Sequence, residues 1–249
     1  AVAASNLQIV GGNTTGSHTF TAGATWNAGT MNAAATTTNA AGSTFVIATA
    51  ADHDYNQRSI VNNGIVNWTG GRLRGGNSSS ITNNATWNDS ASNVFNNDYL
   101  GTTTSFTNAA GASYNKMAAG TTTFSVPFFN SGTVDVQAGT LTFANNTTFN
   151  PGSTLLGTGV AQFTGGTLTA TGTINVQNFK LAGGTMPGTQ TYSGNWEWSS
   201  GNLNGAGTTT HTGGTLTIAS TADHDFNLHA LVNNGTVNWT GGRLRSGNG

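Results

Sequence analysis

The feature that most constrains this chain is that it nearly repeats itself. Residues Thr44 to Asn77 and Thr215 to Asn248 carry the same phrases in constant register: Asp52 and Asp223, Trp68 and Trp239, and Arg72 and Arg243 each lie 171 positions apart. Upstream the correspondence continues with one extra residue, pairing Gly11 and Gly12 with Gly183 and Gly184, Phe20 with Tyr192, and Trp26 with Trp198. The 249 residues therefore divide into one long repeat, 1–172, and the opening of a second, 173–249, continuous with the first. Self-similarity at a fixed period marks stacked architectures, in which each unit buries its apolar face only against its neighbours. Neither end shows a cap, and an open strand edge invites aggregation. Further repeats of the same chain are expected at both termini.

Composition narrows what is stacked. Charged residues are 6% of the chain, against roughly 25% in ordinary globular domains. Polarity comes from neutral Thr, Asn and Ser, and good helix formers are scarce. Disorder is disfavoured because 35% of residues are hydrophobic, with 6 Trp and 12 Phe spread along the length, whereas disordered chains lack such residues. A net charge of −1 leaves no basic footprint for nucleic acid. No apolar run approaches the ~18 residues that suggest a membrane span, and no secretory leader is visible. The absence of cysteine is compatible with either redox compartment.

A shorter rhythm runs inside the long one. The phrase Gly-Thr-Φ-x-Φ, with Φ apolar, occurs at Gly132–Val136, Gly139–Phe143, Gly172–Val176, Gly214–Ile218 and Gly235–Trp239. Each is a turn glycine followed by strict alternation, the pattern of a short strand with one buried face. Asparagines mark the coil: Asn62, Asn83, Asn108 and Asn130 follow one another at separations of 21, 25 and 22. Such spacing suits one turn of a three-sided helix of strands rather than a meander. The expected fold is all-β, a right-handed parallel β-helix (β-solenoid) with about 21–25 residues per coil and about eight coils per long repeat, strands stacked ~4.8 Å apart. Asn62, Asn83, Asn108, Asn130 and, in the second copy, Asn233 are expected to form a structural ladder of side-chain amides along the axis.

The phrases Asn233–Gly242, Gly120–Val136 and Gln137–Phe143 resemble the repeats of very large secreted bacterial β-helix proteins of the filamentous-haemagglutinin and autotransporter-passenger type. The resemblance covers essentially the whole chain. It implies an extracellular, cell-surface role as a structural or adhesive rod, part of a fibre, filament or giant adhesin, with homotypic filament or sheath contacts and a glycan or cell surface as partners. It carries no catalytic motif onto any position, and fold alone does not fix function.

The few charges are placed informatively. Asp52 and Asp54 precede Arg72 and Arg74 by 20 residues each, about one coil, and Asp223 and Asp225 stand in the same relation to Arg243 and Arg245. An ion-pair rung in every long repeat follows, with register as its main benefit, since exposed pairs contribute only about 0–1 kcal/mol. The alternative for Asp52, Asp54, Asp223 and Asp225 is a Ca²⁺ site, disfavoured because such cages usually take six or more oxygens and His53 points to the opposite face. No other cofactor is implied. An enzyme acting on polysaccharide would need two acids about 5–10 Å apart, which Asp52 and Asp54 satisfy, but the unchanged recurrence of the pair suits a fibre better. Glu197, the only Glu, and Asp89, Asp98 and Asp135 have no evident acidic companion. The Thr-x-Thr phrases at Thr140/Thr142, Thr167/Thr169 and Thr215/Thr217 raise an ice-binding array, against the simpler reading that outward threonines suit strands. Trp68, Trp239, Val66 and Val237 read as core, and Tyr55 and Phe226 as loop aromatics able to stack on sugar rings.

Overall fold

A computed structural model describes residues 7–247. Among them there is no helix; every strand pairing is parallel, and the chain winds as a β-solenoid of about 11 turns. One set of strands, from His18–Phe20 through Arg58–Asn62 to Leu168–Ala170, forms an eight-stranded ladder, and the others join in a 20-stranded sheet. Alternation produces the strands: Ser80–Asn83, Thr86–Asp89, Ser105–Asn108 and Thr133–Val136 each bury every second residue. Inward side chains of successive coils then lie on one another at strand spacing, ~4.8 Å. Phe106 stacks on Phe128 with ring centroids 5.4 Å apart, and Phe95, Phe124, Phe143 and Phe149 extend the column in edge and stacked contacts.

The coil count follows from the register. Asp54 pairs with Arg74 and Arg74 with Asn96; beside them Phe95, Phe124, Phe143, Phe163, Leu181 and Trp198 pair in succession; and Asn202 pairs with Asp225. Eight coils thus separate Asp54 from Asp225. Coil length is less uniform than the asparagines imply, from 29 residues between Phe95 and Phe124 to 17 between Leu181 and Trp198. After Ala170 the cross-section changes. Strands of two to seven residues give way to Gly172–Thr185, Gln190–Asn202, Gly207–Ile218 and His229–Trp239, which run 11 to 14 residues and turn corners by β-bulges instead of breaks. A bulge adds a residue and bends the strand without abandoning the ladder.

Two local devices set the corners. Trp68 Nε1 donates to the carbonyls of Gly70 and Gly71, and Trp26, Trp198 and Trp239 make the same bond to the glycine three residues on. Gly71 adopts φ +72°, and a Cβ there would sit 1.9 Å from the Ala51 carbonyl, so only glycine lets the corner approach the coil below. The second device is the asparagine: Asn62, Asn130 and Asn233 each accept from the backbone N–H two residues on, at 3.1 to 3.2 Å, an Asx turn.

Candidate functional site

The charged rung lies on three successive coils. Arg72 donates to both carboxylate oxygens of Asp52 at 2.9 and 2.7 Å, and Arg74 to both oxygens of Asp54 at 2.7 and 2.9 Å. Strand pairing brings them together, because His53–Asp54 pairs with Leu73–Arg74 one coil on. Arg74 also reaches Asp52 at 3.2 Å. The next coil contributes Asp98, 3.6 Å from Arg72 and 3.8 Å from Arg74, and Tyr99, whose hydroxyl donates to Asp54. The second copy repeats the forks: Arg243 to Asp223 at 2.8 and 2.7 Å, and Arg245 to Asp225 at 2.6 and 2.8 Å. Fork-to-carboxylate bonds are the geometrically specific kind. Hydrogen bonds from Arg72, Arg243 and Arg245 hold Asp52, Asp223 and Asp225 below the usual carboxylate range.

This arrangement limits the chemistry. A general acid needs a raised pKa, and Asp52 is shifted the other way. Ca²⁺ would have to displace arginine from both carboxylates, and among the described residues no three His, Asp or Glu side chains converge as a metal-holding group.

Between the acids, His53 points inward and is fully buried, its ring 4.8 Å from that of Trp26 in an edge contact. His224 meets Trp198 in the same way at 4.9 Å. Neither ring nitrogen of His53 has a partner at hydrogen-bonding distance. Burial pushes His53 down to about 4, only partly offset by the nearby Ala48 and Gly70 backbone and the charges of Asp52 and Asp54, and burial lowers His224 as well.

The amide ladder runs through the core corner. Asn39 donates to Asn62, Asn62 to Asn83, Asn83 to Asn108 and Asn108 to Asn130, at 2.7 to 2.8 Å. Asn39 begins it; the sequence reading missed this residue, although its 23-residue distance from Asn62 was a usable signal. Asn233 does not join the ladder: its amide donates to Gly235, and its register partner one coil below is His211, standing where the first copy has Asn39. His211 instead accepts from Trp196 Nε1 at 3.2 Å.

Other polar residues in the core were not legible. Asp89 and Lys116 are register partners, both buried; Tyr114 donates to Asp89 at 2.7 Å, and burial raises Asp89 and lowers Lys116. Arg58 is buried and donates to the carbonyls of Met31, Gly16 and Thr14, with His229 in its place 171 residues on. Tyr55 is not a loop aromatic: it lies in the core and bonds Thr104, while Phe226 packs half-buried against the core. Val66 and Trp68 are core; Val237 and Trp239 are 36% and 58% exposed on the last described coil. The Thr-x-Thr pairs make no continuous threonine face, since Thr140 and Thr142 pair with Val160 and Gln162, and Thr217 with Glu197.

The geometry defines a parallel β-solenoid with a recurrent charged rung. Compared with known proteins, the chain matches no family model, no curated protein and no solved structure.

Proposed function

We propose that this chain is a segment of an extracellular structural rod, a secreted bacterial surface fibre, filament or giant adhesin extended by further repeats of itself. The observation that carries this reading is that a coil's apolar interior is closed over by the next coil. Val66 and Trp68 are sealed where Thr86–Asp89 pairs with Ile65–Trp68. Such a unit lengthens by duplication without a redesigned core. Scarce charges are arranged coil to coil, where they fix register, and the rung recurs eight coils on, as repeated surface features of a fibre do. Repetition also multiplies any weak contact into avidity.

Electron microscopy of the native protein tests this. The expected image is a continuous rod with a ~4.8 Å axial rise and a coarser period of about eight such steps. Discrete globular particles with a cleft over Asp52 and Asp54 would overturn the reading in favour of a polysaccharide-degrading β-helix.

A further inference from the structure

On the outward side of the larger sheet, a trough of about 530 Å³ extends from Thr140 to Thr217. Gln162, Lys180, Glu197 and Thr217 line it in strand register, one per coil. Beside them runs a second column containing Val160, Asn178 and Asn195. Because each step is one coil of ~4.8 Å, the trough follows the rod axis for about 20 Å.

We infer that this trough binds an extended, uncharged polysaccharide lying along the rod axis. Charge selects against a polyanion: Lys180 Nζ lies 2.8 Å from Glu197 Oε1, both side chains about one-third exposed, and no other ionised group lines the trough. A carboxylate, an ammonium and several amides together accept from and donate to sugar hydroxyls, with the charged members giving the stronger bonds. Val160, 36% exposed, offers apolar surface to a sugar's C–H face. The polar groups are already positioned: Gln162 donates to Thr142 at 2.9 Å, Asn178 to the Thr158 carbonyl at 3.2 Å, and Asn195 accepts from the Thr215 N–H at 2.8 Å. Pre-set side chains lose less freedom on binding. Nor is the trough generic decoration of the repeat. The positions matching Lys180 and Glu197 in the first copy are Gln8 and Thr25, register partners with no charge.

Affinity electrophoresis of the whole chain tests this, in gels containing xyloglucan, laminarin or dextran as neutral polymers and polygalacturonate as an acidic one. Retardation by at least one neutral polymer is expected, weakened about tenfold by Lys180→Ala/Glu197→Ala and unchanged by Asp135→Asn, with circular dichroism showing the solenoid intact. If the double variant does not fold, Thr217→Trp, which fills the trough without removing the ion pair, must abolish retardation. No retardation by any neutral polymer, retardation by polygalacturonate alone, or equal retardation of the trough variants overturns the proposal. None of these outcomes bears on whether the native protein is a rod.

Discussion

The two copies of the Asn-Asn-Gly and Trp-Thr-Gly-Gly coil share local geometry but not burial. Trp68 bonds the Gly70 and Gly71 carbonyls at 3.0 and 2.9 Å, and Trp239 bonds those of Gly241 and Gly242 at 2.9 and 3.2 Å. Asn62 and Asn233 accept from Gly64 and Gly235 at the same 3.1 Å. Yet Trp68 is inaccessible and Trp239 is 58% exposed. What differs is the neighbour: Ile81 lies in register on Ile60 and Trp87 on Val66, and no described coil lies on the second copy. Conformation is therefore written within a coil, by turn asparagines and corner glycines, while stability is conferred between coils. That is the nearest-neighbour energetics of a solenoid.

The largest effect should come from the tryptophans. Trp68→Ala empties a buried site between two coils and is expected to cost about 3–5 kcal/mol, whereas Trp239→Ala, measured in the 249-residue chain by itself, where Trp239 is 58% exposed, should cost under about 1 kcal/mol. Because repeat arrays open in parts, the measurement is hydrogen-exchange protection of Ile65–Trp68 against His229–Trp239. Equal losses in the two copies would break the claim that the covering coil confers the stability.

Acid tests the buried histidine of each copy next. The folded state holds His53 neutral, with its pKa down at about 4, below the ordinary ~6.5 of the unfolded chain. Its contribution is complete above the ordinary value, declines as pH falls from there towards 4, and is lost below; the full difference is at most about 3 kcal/mol. Thermal unfolding of the chain and of His53→Leu across that range should show a flatter acid limb in the variant. Removing His224, which burial also lowers, should flatten it in the same direction. An unchanged limb in both variants would mean that the paired carboxylates, not the histidines, set acid stability.

Features that are local or periodic were legible in the sequence. The Gly-Thr-Φ-x-Φ phrases became strands with Val134, Val136, Leu141 and Phe143 buried, and the 20-residue offset of acids and arginines matched one coil. Contacts that depend on coil length were not. Asp98 and Tyr99 reach the rung only because the coil from Arg74 to Asn96 takes 22 residues, and Tyr55 turns inward through contacts with Thr104 and Phe95 that lie two coils away in sequence. The corner bulges after Ala170 were hidden for the same reason: the phrases are alike, and only the number of residues between them differs.

The amide ladder gives a smaller contrast. Asn83→Ala removes the acceptor of Asn62 and the donor to Asn108 inside the core, and stranded buried amides cost about 2 kcal/mol. Asn233→Ala removes only its own exposed turn bonds and should cost a few tenths. Chemical denaturation of both variants measures the difference. A comparable loss would show that the Asx turn, present in both copies, matters more than the ladder.

The smallest effect distinguishes the rungs. Asp54 is 7% exposed, accepts both bonds of the Arg74 fork and is capped by Tyr99. Asp225 keeps the fork of Arg245 but has no third coil beside it among the described residues, and its arginine is 48% exposed. Asp54→Asn should lower stability by about 1 kcal/mol, and Asp225→Asn should leave the unfolding midpoint unchanged. Salt sharpens the test, since screening acts strongly on exposed charges and weakly on covered ones. In the native chain at high ionic strength, the cost of Asp54→Asn should persist. If salt abolishes it, the rung is a surface ion pair in both copies, and register must be held by the asparagines and glycine corners alone.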